Sequence, residues 1–99
     1  MKHRIIYTPT AESHLRSLSS RDRTIVHEGI ERQLTHEPSR PTRNRKRMRP
    51  NPIATWELRI GPFRVYYRIV AGFDPGVVVE AVAVKIGNRA WAGGEEVDT

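Results

Sequence analysis

Between residues 56 and 69 apolar and polar side chains alternate across a two-residue break. Trp56, Leu58, Ile60, Phe63, Val65, Tyr67 and Ile69 fall on one face, and Glu57, Arg59, Arg64, Tyr66 and Arg68 on the other. A period of two centred on Gly61-Pro62 predicts a β-hairpin, with Arg59 directly opposite Arg64. His3-Arg4-Ile5-Ile6-Tyr7-Thr8 reads as an earlier strand, ended by Pro9. Ala11, Leu15 and Leu18 are spaced for a short amphipathic helix with Thr10 as its N-cap. Ser19 or Ser20 caps a second helix, whose apolar stripe is Ile25, Val26, Gly29, Ile30 and Leu34 and which Glu37-Pro38 ends. Gly29 in mid-helix costs about 1 kcal/mol relative to alanine, so it points to a close approach by another element.

Residues 38–52 read as a loop, with four prolines and six cations, Arg40, Arg43, Arg45, Lys46, Arg47 and Arg49. A turn at Gly72-Phe73-Asp74-Pro75-Gly76 leads into the almost wholly apolar run 77–84, which predicts a central strand covered on both faces. Beyond Arg89 no apolar period is visible. The expected order is β-α-α-β-β-β: an α+β domain over residues 1–90, with a mostly antiparallel four-stranded sheet and two helices packed on one face. An acidic, mobile tail over 91–99 is expected to follow.

Composition narrows the class. The chain has 99 residues, 37% of them hydrophobic and 28% charged, which suits one folded domain with a single modest core. No segment approaches the ~20 apolar residues of a membrane span, and the first residues lack a leader's apolar stretch. Without cysteine there is neither a disulfide framework nor a thiol nucleophile, and a cytoplasmic location is expected.

Charge adds the most. Seventeen basic residues face eleven acidic ones for a net +6, and fourteen of the seventeen are arginine. Three of the acids (Glu95, Glu96 and Asp98) sit in the last five residues, so the body is more basic than the total. A small domain this basic meets polyanions, and arginine adds planar, bidentate recognition of phosphate.

The same residues suggest chemistry. Like charges facing each other across strands destabilise a hairpin, so the Arg59–Arg64 pair is expected to hold an anion. Glu57 is the only carboxylate on that face of the hairpin. It is either a general base kept ionised by its arginine neighbours or a counter-charge to Arg64 or Arg68. Tyr66 is either a proton donor or a packed aromatic. Arg43, Arg45, Lys46, Arg47, Arg49 and Arg68 are candidates for RNA backbone contacts without sequence preference, and Trp91 for stacking on a base or anchoring the tail. His14, His27 and His36 lack metal-ligand spacing and read as solvated helix residues. No metal or cofactor is expected.

Two stretches carry a family resemblance. Trp56-Glu57-Leu58-Arg59-Ile60-Gly61-Pro62-Phe63-Arg64-Val65-Tyr66-Tyr67 resembles the strand–Gly–aromatic–Arg hairpin of the RelE/ParE toxin superfamily of bacterial toxin–antitoxin pairs. Val84-Lys85-Ile86-Gly87-Asn88-Arg89 is similar to its Gly-x-Arg ending. The resemblance implies a toxin neutralised by a cognate antitoxin protein. RelE-like members are metal-independent endoribonucleases that cut mRNA in the ribosomal A site, making the 2′-OH attack the adjacent phosphate against a background of rRNA. ParE-like members inhibit DNA gyrase on the same fold. Carried over, Arg59 would stabilise the transition state, Arg64 would grip the scissile phosphate, and Arg89 would be the arginine after the last strand. The pattern departs at Glu57, where ribonucleases can carry a lysine, and near the carboxyl end, which lacks their tyrosine or histidine and their final helix. The expected activity is a ribosome-dependent mRNA endoribonuclease; the alternatives are a ParE-like gyrase inhibitor and a non-catalytic RNA- or antitoxin-binding domain.

Overall fold

The computed structural model describes residues 2–97. Strand β1 (Arg4–Tyr7) leads into helices α1 (Pro9–Arg16) and α2 (Ser20–Leu34), and six strands follow. These are β2 (Arg45–Arg47), β3 (Trp56–Ile60), β4 (Phe63–Val70), β5 (Gly76–Ile86), β6 (Arg89–Ala92) and β7 (Glu95–Glu96). The sheet runs β2-β3-β4-β5-β6-β7, and β1 pairs in parallel with the first half of β5. All other pairings are antiparallel. The α+β architecture and the mostly antiparallel sheet are as expected, but the sheet has seven strands among the described residues instead of four.

Both helices are capped by hydroxyls. Thr8, not Thr10, caps α1: its Oγ1 accepts the Ala11 N–H at 3.0 Å, and Pro9 occupies the first turn, where a missing N–H costs nothing. Ser19 caps α2 by accepting from Asp22 at 3.1 Å. The main core lies between the helices and one sheet face, with Ala11, Val26, Ile30 and Leu34 packed on Leu58, Val65, Tyr67, Val77 and Val79. Each large apolar side chain fully buried there contributes about 1.5–3 kcal/mol. Gly29 meets the sheet as its position suggested: a Cβ on it would stand 2.6 Å from Ile60 Cδ1. Ile25, by contrast, is 40% exposed and lies outside the core.

The opposite sheet face carries a second, smaller cluster. Tyr66, Ala81, Ala83 and Ala92 are buried beneath Met48, Ile53 and Ala54 of the long loop and Val97. That loop is not strandless, because Arg45–Arg47 pairs with β3 as an edge strand. Nor does the sheet end at Arg89. Residues 89–92 and 95–96 form a further hairpin around Gly93-Gly94, both at positive φ, as a tight turn requires. Residues 91–97 therefore belong to the sheet and its second cluster instead of forming a separate tail. The last two positions of that expected tail, 98–99, lie outside the described residues.

Candidate functional site

The β3–β4 hairpin closes on Gly61-Pro62, with Ile60 opposite Phe63 and Arg59 opposite Arg64. Gly61 has φ +54, and proline can only have negative φ. That combination is the first-glycine hairpin turn, which matches strand twist. The two arginines facing each other across it have different fates. Arg59 is exposed. Arg64 is 7% exposed, and its Nη1 donates to Gly61 O at 2.8 Å and to Phe63 O at 2.9 Å. It thus ties down the turn from below, and its Nε lies 3.7 Å from Glu57 Oε1.

Glu57 is the hub of this face. One carboxylate oxygen faces Arg64, and the other lies 3.4 Å from Lys46 Nζ on the neighbouring strand. The register sets Lys46 beside Glu57, and Glu57 beside Tyr66. Its side chain keeps 13% exposure, enough for one edge to face solvent. It opens into two hollows: a small one lined by Arg43, Asn44, Lys46 and Arg59, and one of about 190 Å³ that runs under Arg47, Arg49 and Asn51. A carboxylate at the base of a ring of exposed cations can take a proton from a substrate whose anion the cations hold.

Asn51, which sequence reasoning passed over, gives the loop its shape. Its Nδ2 donates to Arg49 O and Ala54 O, and its Oδ1 accepts from the N–H groups of Ile53 and Ala54. Four bonds from one side chain fix the stretch that presents Arg47 and Arg49. The Asn51-Pro52 pair was the available signal, since asparagine before proline initiates turns.

Not every candidate belongs to the cluster. Arg45 is buried, and its Nη1 donates to Gln33 O in the last turn of α2, where a cation meets the negative end of the helix dipole. It serves the fold. Tyr66 is 3% exposed; burial, with the Glu57 charge adding to it, pushes its hydroxyl above the ordinary phenol range. Arg68 is exposed and pairs with Glu80 at 3.3 Å. Arg89 aligns with Ile86 and Trp91 with Val84, which turns them to the sheet face opposite Glu57; Arg89 is exposed and pairs with Glu96 at 3.7 Å. The structure thus gathers Arg43, Lys46, Arg47, Arg49, Arg59 and Glu57, with Arg64 beneath them. It leaves Arg45, Arg89 and Trp91 apart. His27 and His36 are exposed, but His14 is half-buried and its Nδ1 accepts the Val82 N–H at 3.2 Å, so it is not the solvated residue expected. No group of three or more metal-ligating side chains converges among the described residues. No helix among them is long and apolar enough to cross a membrane.

A model of the ParE toxin of type II toxin–antitoxin systems matches residues 5–91, which includes both helices, the arginine hairpin and the strand after it. The chain belongs to this toxin family. Its fold is similar to that of a chain in the crystal structure of the toxin–antitoxin complex RelBE2 from Mycobacterium tuberculosis. The TM-score is 0.69 and the identity 27%, over 86% of this chain and all of that one. No curated protein sequence matches it. Membership in the RelE/ParE superfamily accounts for the hairpin but not for the activity, since one fold hosts several.

Proposed function

We propose that this toxin arrests growth by cutting mRNA on the ribosome without a metal, with Glu57 and the exposed cations around it as the reactive group. The observation that carries the reading is the meeting of Lys46, Arg59 and Arg43 over the Glu57 carboxylate in an open hollow. Glu57 takes the proton from the ribose 2′-OH, whose oxygen attacks the adjacent phosphorus. Arg59 and Lys46 face the charge that builds on the phosphorane, and the Lys46 ammonium hands a proton to the leaving 5′-oxygen. Arg64 acts here through Glu57 and the turn, since its Nη1 is engaged by two turn carbonyls and its Nε faces the Glu57 carboxylate. The exposed Arg47 and Arg49 hold the flanking RNA backbone. The family's type II organisation supports a cognate antitoxin protein as the neutralising partner, in the cytoplasm where translation occurs.

A reconstituted translation mixture tests this. The toxin is expected to shorten a translated message and to spare the same message without ribosomes, while Glu57→Gln and Arg59→Ala leave it intact. The burial of Arg64 and Tyr66 favours a second reading, in which the toxin blocks its target by binding alone. An intact message beside arrested growth, with loss of gyrase supercoiling in a parallel assay, would establish that one.

A further inference from the structure

The outer edge of β5 is paired with β1 as far as Val79 and with β6 only from Val84 onwards, so on that edge residues 80–83 have no strand beside them among the described residues. A bulge falls in the same place. Tyr66 pairs with Ala81 and Tyr67 with Val79, leaving Glu80 as the extra residue. Side chains pair with two backbone groups of the open edge. Thr8 Oγ1 donates to Glu80 O at 3.2 Å, and Val82 N–H donates to His14 Nδ1 at 3.2 Å. The turn of the β6–β7 hairpin closes against the same histidine, whose Cδ2 would lie 3.2 Å from a Cβ on Gly93.

These contacts frame a cavity of about 400 Å³ between α1 and the β6–β7 hairpin. Its floor is apolar (Ala81, Ala92 and Ile53), and His14 and Glu95 stand at its wall. Burial holds the His14 imidazole below its ordinary pKa, with Glu95 opposing. With Nδ1 accepting from Val82 and burial disfavouring the charged form, the ring presents a flat, uncharged surface. Of the carboxylates at the rim, Glu80 is engaged by Arg68 and Glu96 by Arg89, whereas Glu95 has no ion pair among the described residues. Glu80 and Ile53 also line the hollow that holds Arg47, Arg49 and Arg68, and Arg47, Arg49 and Asn51 line in turn the hollow that contains Glu57. Adjoining hollows that share walls thus step from the proposed reactive group to the cavity as a basic trough.

We propose that this cavity receives an unstacked guanine base of the RNA strand held along the basic trough, with Glu95 as the residue that reads it. Its size falls within the range of small-ligand sites, and an apolar floor beside a flat ring suits a planar heterocycle. The carboxylate selects the base. Guanine's pairing edge presents two adjacent donors, N1–H and the N2 amino group, to two carboxylate oxygens. Adenine and cytosine each set an acceptor beside their one amino donor, and uracil flanks its single N–H with two carbonyls, so each turns a lone pair towards the carboxylate. The proposal rests on the reading that this face holds RNA.

The test titrates the full chain with each of the four nucleoside 5′-monophosphates and with inorganic phosphate, following backbone amide signals by NMR. GMP is expected to shift Ala81, Ala92 and Val97 and to bind about tenfold or more tighter than the other three. Glu95 is exposed, so Glu95→Gln keeps the fold and is expected to lose that preference. Equal shifts from all four nucleotides, or from phosphate alone, would overturn the proposal. So would shifts at the cavity from a lysine-rich peptide with none from GMP, which would reassign it to a basic protein segment. A uridine-only oligoribonucleotide and one with a single guanine separate the two levels. If both bind equally, only the base site fails; if neither binds, the RNA reading fails with it.

Discussion

Arg59 and Arg64 face each other across one turn, yet they do opposite things. Arg64 donates from Nη1 to two turn carbonyls and sets Nε beside Glu57, so truncating it leaves polar groups unpaired in a nearly buried place. Arg64→Ala is expected to lower unfolding free energy by about 1–3 kcal/mol in a urea titration. Arg59→Ala is expected to stay within about 0.5 kcal/mol of the parent, since Arg59 is exposed, and yet to abolish toxicity. Alternation in the sequence was enough to put both on one face and in register. It could not show that the long stem of Arg64 curls back onto its own turn, or that Arg45 reaches the end of α2, because alternation fixes a side chain's face and not the carbonyl that its far end reaches. Glu57 was legible as the only carboxylate of its face, and its pairing with Lys46 depended on a strand the pattern did not reveal.

At the scale of elements, what was legible had an apolar period behind it. Both helices, the arginine hairpin and β5 bury a face in the main core, and their spacing announces it. Strand β2 is three residues of Arg-Lys-Arg on a sheet edge, where pairing to β3 and not apolar burial makes the strand. The β6–β7 hairpin likewise lacks a period, but Gly87-Asn88 and Gly93-Gly94 were turn signals in plain view. Gly29 shows a local irregularity read correctly, and its neighbour makes it testable. Gly29→Ala gains helix propensity but drives a Cβ into Ile60. It is expected to cost about 1 kcal/mol or more, a loss that Ile60→Val, which removes the clashing Cδ1, partly restores. His14 ties α1 to β5 in the same way. Its depressed pKa means that the unfolded chain takes the proton first as pH falls below about 6.5, so stability drops there. His14→Asn keeps an acceptor but cannot titrate, and its thermal midpoint is expected to fall less between pH 7 and pH 5.

The whole molecule carries +6, and five of its exposed cations, Arg43, Lys46, Arg47, Arg49 and Arg59, gather around one carboxylate. If a single strand of RNA touches about five of them, the affinity is expected to fall with a log–log salt slope of about −3.5. A slope near zero would mean that this face does not hold a polyanion. Alkali should unfold the domain through its buried phenols. Burial, with Glu31 adding to it, pushes Tyr7 up to about 12, and burial raises Tyr67 as well. Above pH 10 the unfolded chain releases these protons first, so stability falls as pH rises towards 12. The proposed function requires that translated messages be cut by Glu57 and Arg59. It is met most directly by mapping 5′ ends of cellular mRNA within minutes of inducing the chain without antitoxin, beside Glu57→Gln and Arg59→Ala. New ends within translated frames, absent from both variants, are the result expected. Growth arrest with no new ends, or with the same ends in both variants, would contradict it.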